Sequence, residues 1–366
     1  MTGDRPSIFA KALKAQNLFV DNIDNPCLGF ITAEQKLLHV IQKPADLRLG
    51  IGAVHLARVA RYLSHENRLM LQLCDGQMAS VRLRGDVPEM GALVVITLSG
   101  LPRAGKPFQA VLGAEVIGRS ALLKPWGGQA AGVRSSAKSR SEESVSALNL
   151  GSLLPEGAAL VWRRRARLFD PEALYQDLAT LVENWRDTGL GFGLNPMQIT
   201  ALGAEPRCLK PAADIMGFCQ LFYPDLKAQP LSMADHHDLF SQAEQATQPG
   251  FQLHDDVQIW FEPTRAAVCI DIDISGPLDR HLDQMVIAII QQIMLRRLAG
   301  QLLIDLPRTG PKLKKRWFDL LKEGLAYDPR HPDLLGESKG GLTEMSIRHG
   351  LPPLNGAMLK ELEAAF

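Results

Sequence analysis

The chain lacks the marks of a small stapled domain. Its 366 residues hold five cysteines, at positions 27, 74, 208, 219 and 269, with no paired metal spacing. That excludes a disulfide framework and reads as the usage of a reducing, cytoplasmic compartment. There is no excess of charge: Lys plus Arg and Asp plus Glu each number 40. Any surface that attracts nucleic acid must therefore be local. Nothing at the N-terminus reads as a signal peptide, because no apolar core follows Met1–Ala10. The Ile-rich stretch Met285–Leu298 is too short and too polar-flanked to span a bilayer, so no membrane partner is expected.

What is present is acid in apolar surroundings. Between Glu262 and Gly276, Ile270, Ile272 and Ile274 alternate with Asp271, Asp273 and Ser275. A period of two puts the isoleucines on one sheet face and both carboxylates on the other. Further on, Asp305 ends the run Leu302, Leu303, Ile304. An ionised carboxylate beside such runs is costly unless paired or bound to a cation. Carboxylates meeting at adjacent strands form a hard oxygen site suited to magnesium. The plainer reading makes Asp271 and Asp273 strand-edge acids with arginine partners.

Length alone predicts two to four modules. A short helix over 9–18 and a strand near Leu28–Ile31 open the chain. Short β runs follow at Lys36–Gln42, Ala53–Leu63, Arg68–Cys74, Met78–Leu83, Leu93–Leu98 and Phe108–Val116. That spacing predicts a small barrel of the oligonucleotide-binding kind. Trp126–Ser146, rich in Gly, Ala and Ser, reads as a linker. A strand at Ala159–Arg165 and an amphipathic helix at Pro171–Trp185 come next, then helix candidates at Lys210–Phe222 and Ser232–Gln245. A hairpin over 257–274, a helix over 278–298, the Asp305 strand and a helix over 311–325 close the pattern. The strand–helix–strand crossover implies that the Asp271 and Asp305 strands are parallel.

These segments resemble the ribonuclease E/G family. Glu262-Pro-Thr-Arg-Ala-Ala-Val-Cys-Ile-Asp-Ile-Asp-Ile-Ser-Gly276 looks like its first catalytic strand, and Leu303-Ile-Asp-Leu306 like its second. Gly341-Leu-Thr-Glu-Met-Ser346, Leu154-Pro-Glu-Gly-Ala-Ala-Leu-Val-Trp-Arg-Arg164, Gly118-Arg-Ser-Ala-Leu-Leu-Lys-Pro125 and Gly52-Ala-Val-His-Leu-Ala-Arg-Val59 are similar to further family segments, in the same order.

The resemblance implies an α+β chain of several subdomains: a small OB-type β-barrel inserted in a ribonuclease-H-like piece, then a sensor segment and a deoxyribonuclease-I-like α/β catalytic subdomain. It divides the chain into a ribonuclease-H-like start over 1–34, the barrel over 35–123 and a linker with sensor over 124–188. The second ribonuclease-H-like part covers 189–250 and the catalytic subdomain 251–366. Asp271 and Asp305 align with aspartates that hold Mg2+, and Asp273 stands where the family has a functional asparagine. Arg163, Gly118 and Leu122 align with the pocket that reads an RNA 5′-monophosphate, with Arg164 at its threonine position. Lys312, Lys314, Lys315 and Arg316 follow Asp305 and are candidates for the RNA backbone.

The implied activity is a magnesium-dependent endoribonuclease on single-stranded RNA, ribosomal or messenger, leaving 5′-phosphate and 3′-hydroxyl ends. The alternative is a catalytically weakened RNA-binding or assembly factor on the same fold. A homodimer stays open; the zinc-linked assembly is not expected, since no cysteine follows Cys269. Barrel positions that carry aromatics in the family correspond to Leu71, Ala79 and Val81. Asp235-His236-His237-Asp238 reads as a polar helix start rather than a metal site, because adjacent histidines on a helix diverge.

Overall fold

A computed structural model of the chain describes residues 8–83, 85–102, 105–127, 132–135, 153–163, 166, 169–193, 203–348 and 351–365. It is a mixed α+β protein in two compact units, one formed by Met1–Lys43 with Asp225–Phe366 and the other by Pro44–Pro224.

Helix α1 (Ile8–Leu13) leads into strands β1 (Asn17–Val20), β2 (Leu28–Ala33) and β3 (Lys36–Gln42). β2 and β3 form an antiparallel hairpin, and Glu34 turns it in the left-handed region at φ 53°. The expected module boundary at 34/35 therefore falls inside this hairpin. Lys36–Gln42, expected to open the barrel, belongs to the first unit. Its reason is burial on both sides: Leu38 enters one core of that unit, and Leu37 and Val40 another. β1 went unforeseen because only four residues form it.

In the second unit, β4 (Val54–Leu63), β5 (Arg68–Gln72), β6 (Met78–Arg82), β7 (Leu93–Gly100) and β8 (Phe108–Leu112) run in the order β4-β5-β6-β8-β7. β7 pairs back onto β4, which closes a five-stranded barrel compatible with the oligonucleotide-binding type. Leu71, Ala79 and Val81 are buried inside it with Leu69, Ile96 and Phe108. They are core residues, so comparing them with RNA-facing aromatics does not hold.

β9 (Val116–Ile117), β10 (Ala121–Lys124), β11 (Gly132–Ser135) and β12 (Ala159–Trp162) make a second sheet, ordered β11-β12-β10-β9. Helix α2 (Pro171–Arg186) starts with Pro171 at its first position and Asp170 as N-cap, accepting from Ala173 N at 2.8 Å. It buries Leu174, Leu178, Leu181 and Trp185 in one core with Leu123, Leu160 and the outer barrel residues Val54 and Leu56. β13 (Arg207–Lys210) pairs with β4, and α3 (Ile215–Phe222) follows. The stretch expected to resume the first subdomain at 189 thus stays with the barrel unit through Pro224. Much of Trp126–Ser146 lies outside the described residues; within it, β11 pairs in parallel with β12.

The chain then returns to the first unit. β14 (Ala228–Pro230) pairs in parallel with β1, so the order of that sheet is β14-β1-β2-β3. Helix α4 (Met233–Gln245) starts at Ser232, whose Oγ accepts from Asp235 N at 3.1 Å. Ser232 therefore caps the helix, Asp235 lies in its first turn, and His236 stacks on Phe240 at 4.2 Å.

β15 (Gly250–His254), β16 (Val257–Pro263), β17 (Ala267–Ile274), β18 (Gly300–Asp305), β19 (Asp333–Glu337) and β20 (Thr343–Ile347) form a six-stranded sheet. Its order is β15-β16-β17-β18-β20-β19. The β17–β18 crossover runs through helix α5 (Leu278–Leu295), and the two strands are parallel as expected. α5 buries residues nearly all round, from Leu282 and Met285 to Ile290 and Ile293. Helix α6 (Pro311–Gly324) packs Trp317 and Leu321 into the same core, and Trp317 Nε1 donates to Thr343 Oγ1 at 2.9 Å. At Gly324 a Cβ would meet Ile290 Cδ1 at 2.4 Å and Phe9 Cε1 at 2.8 Å, so a side chain there would force those neighbours to shift. Helix α7 (Gly356–Ala365) ends the described chain.

Three arginines finish the C-terminal end of α5. Arg330 donates to the carbonyls of Leu298 at 2.7 Å and Ile293 at 3.0 Å, and grips fully buried Asp328. Arg297, at φ 55°, donates to Val40 O at 2.6 Å, and Arg296 stacks over Phe261 at 4.3 Å. Basic groups at a helix C-terminus satisfy its last carbonyls and complement its dipole. Burial pulls both Arg296 and Arg297 down to about 10.

Candidate functional site

The six-stranded sheet has two unlike faces. One carries Ile259, Phe261, Ile270, Ile272, Leu302, Ile304 and Met345, all buried in the core with α5 and α6. Burying each such side chain contributes about 1.5–3 kcal/mol, which fixes the strand register. The alternate residues must then face outward. Asp271, Asp273 and Asp305 are exposed, and Trp260, Cys269, Leu303 and Glu344 are partly so.

The turn lies at Thr264–Ala267 rather than at the expected Glu262–Arg265, because Glu262 and Pro263 still pair with Cys269 and Val268, and it sets the first half of this face. Thr264 Oγ1 accepts from Ala267 N at 3.1 Å and donates to Ala267 O at 2.8 Å, which pins the hairpin. In that register Trp260 stands opposite Asp271 and Gln258 opposite Asp273. The parallel pairing to β18 then places Asp271 opposite Asp305. Glu344 is on β20 opposite Leu303, on the same face.

Asp271 Oδ1 accepts from Ile272 N at 3.0 Å, and Asp273 Oδ2 from Trp260 Nε1 at 3.0 Å. Among the described residues no basic side chain forms an ion pair with Asp271, Asp273 or Asp305. The arginine partners of a purely structural acid pair are therefore missing among the described residues. Like charges directly opposite on adjacent strands cost about 0.2–1 kcal/mol. Among the described residues no group of three or more His, Cys, Asp or Glu side chains is placed to hold a metal ion.

Of the basic residues after Asp305, Lys314 is paired with Glu337, and Arg316 donates to both Asp283 oxygens at 2.7 and 2.8 Å. Lys312 and Lys315 are exposed near the start of α6. Half of that basic cluster therefore serves the fold.

The second unit brings together three of the four proposed 5′-phosphate residues. Arg163 Nη1 donates to Gly118 O at 2.6 Å, and Leu122 pairs with Ile117 and Val161 across the sheet. Gly118 sits tight on α2, where a Cβ would meet Leu181 at 3.0 Å. Arg164 lies outside the described residues. Beside them is a buried group that the sequence did not signal. Asp177 of α2 accepts from Ser120 N at 3.0 Å and lies 3.6 Å from Arg119, itself over the Phe169 ring at 4.8 Å. Burial pushes the Asp177 carboxyl up, against hydrogen bonds from Ser120 and the charge of Arg119.

The outer face of the barrel supplies what overall charge hides. Arg61 pairs with Met70, and Arg68 with Arg82, across β4, β5 and β6. Arg61 and Arg82 are exposed, while Arg68 reaches Ser80 Oγ at 3.2 Å and Glu66 at 3.5 Å. These arginines were legible only once the inward set, Leu69, Leu71, Ala79 and Val81, was known.

No protein-family model matches the chain, and no curated protein matches it. No helix among the described residues is long and apolar enough to cross a membrane.

Proposed function

We propose that the chain is a magnesium-dependent endoribonuclease that hydrolyses single-stranded RNA, related to the ribonuclease E/G family. One observation carries the reading: Asp271 and Asp305 are register partners on an exposed face, with no basic partner among the described residues. Two opposed carboxylates of this kind call for a cation, and their hard oxygens suit magnesium. The closed barrel with its outward arginines supports RNA as the ligand, since arginine forks match phosphate geometry. In this reading the catalytic sheet corresponds to a deoxyribonuclease-I-like subdomain, and the β14-β1-β2-β3 sheet to the ribonuclease-H-like piece.

Asp271 and Asp305 would hold the ion. When bound, it polarises a phosphoryl oxygen and acidifies water. Asp273, anchored through Oδ2 by Trp260, keeps its other oxygen to orient or deprotonate the attacking water. Asp271 is itself oriented by the Ile272 amide.

The test is a short labelled single-stranded RNA, bearing a 5′-monophosphate or 5′-hydroxyl, incubated with and without magnesium. Magnesium-dependent internal cleavage supports the enzyme; tight binding with no cleavage supports the weakened RNA-binding factor instead.

A further inference from the structure

We propose that Trp260 is a stacking platform for an unpaired nucleobase beside the carboxylate pair. The identity of the ligand rests on the endoribonuclease reading; the platform rests on geometry. Gly250, Trp260, Asp271 and Asp305 form one row of register partners across β15, β16, β17 and β18. The indole is seated at both ends. Nε1 donates to Asp273 Oδ2 at 3.0 Å. At the other end its six-membered ring stands over Gly250, where a Cβ would lie 3.0 Å from Cζ3 and 3.3 Å from Cε3. Gly250 is not among the glycines with positive φ, so its backbone does not demand glycine. What the missing side chain provides is room for the ring.

A half-buried tryptophan on a face of acids leaves apolar surface to be used. The chemistry of the row selects the partner. Two carboxylates repel a phosphate that arrives without a cation, whereas a base face is neutral and polarisable. Every base has such a face, so the platform is tolerant of sequence. A base within a duplex is already stacked, so the platform selects single strands. Trp260 thereby holds the strand so that the phosphodiester flanking the stacked base lies against Asp271 and Asp305.

The experiment titrates the full chain with a short single-stranded oligoadenylate in calcium, read by tryptophan fluorescence, with cleavage in magnesium measured in parallel. Binding should quench the unmutated protein, and part of that quench should vanish in Trp260→Leu. That variant should bind on the order of 10- to 100-fold more weakly, the range of one base–aromatic stack. Trp260→Phe lacks the Asp273 hydrogen bond but keeps a ring, so it should retain most of the affinity. Gly250→Val, which drives the ring off its seat, should behave like Trp260→Leu. An RNA duplex of equal length should leave the Trp260 component unquenched. Unchanged affinity and unchanged quench in a folded Trp260→Leu overturn the platform. If RNA is cut while Trp260→Leu alters neither affinity nor KM, the platform fails and the nuclease reading stands. If Trp260 is quenched and no RNA is cut, the platform stands and the nuclease reading fails.

Discussion

Asp271 and Asp305 face each other across two parallel strands, exposed, with no basic group paired to either among the described residues. A fold that needed only surface polarity there could have used neutral side chains. Like charges opposite one another are destabilising, and the divalent cation proposed here would relieve that repulsion.

That repulsion predicts a stability signature independent of activity. Without magnesium, Asp305→Asn should unfold at slightly higher denaturant than the unmutated chain, by about 0.2–1 kcal/mol. With magnesium the unmutated chain should gain stability by mass action, and Asp271→Asn or Asp305→Asn should not. A magnesium-induced rise in Tm of equal size in all three proteins would place the ion elsewhere.

Asp328 should contribute to the acid sensitivity of the first unit. Burial pushes its carboxyl up, but the charge of Arg330 and the hydrogen bonds from it outweigh this and hold the carboxyl below the ordinary 3.8. A depressed carboxyl contributes its stability above the unfolded value and loses it as pH falls through the folded one. Removing one partner of a buried pair costs about 3–5 kcal/mol, so Asp328→Asn should lose that much at pH 7. It should also flatten the fall in stability below pH 4. Urea titrations at pH 7 and in acid check both.

The barrel arginines should carry non-specific affinity. Replacing Arg61, Arg68 and Arg82 with Gln should weaken binding of all single-stranded sequences alike. The dependence of log K on log salt should become shallower by about 0.7 for each phosphate that the arginines no longer neutralise. An unaltered salt slope would move RNA off this face.

The 5′ end offers a finer test. If Arg163 reads a terminal phosphate, monophosphorylated RNA should be cut faster than hydroxyl-ended RNA. Arg163→Gln should erase the difference and spare the rate on the hydroxyl substrate. Equal rates for the unmutated chain would leave Arg163 a purely structural turn residue.

The carboxylate pair was legible because period-two alternation and a helical crossover dictate both the facing and the parallel pairing of Asp271 and Asp305. The barrel was legible from strand spacing, save for Lys36–Gln42. That strand reads the same in either sheet, and only the tight turn at Glu34 assigns it to β2. The place of Trp260 was not legible, because a hairpin centred on Glu262–Arg265 would set it opposite Ala267, whereas the turn at Thr264–Ala267 sets it opposite Asp271. Nor were Glu344 and Asp177, because they join their neighbours through long-range packing that no local period encodes.

The most direct measurement is cleavage of a 5′-labelled single-stranded RNA by the unmutated chain, Asp271→Asn and Asp305→Asn across a magnesium titration. Each aspartate supplies charge to the reacting centre, so each variant should lose activity on the order of a hundredfold or more while staying folded. Undiminished cleavage by either variant at limiting magnesium would contradict the assignment of the pair.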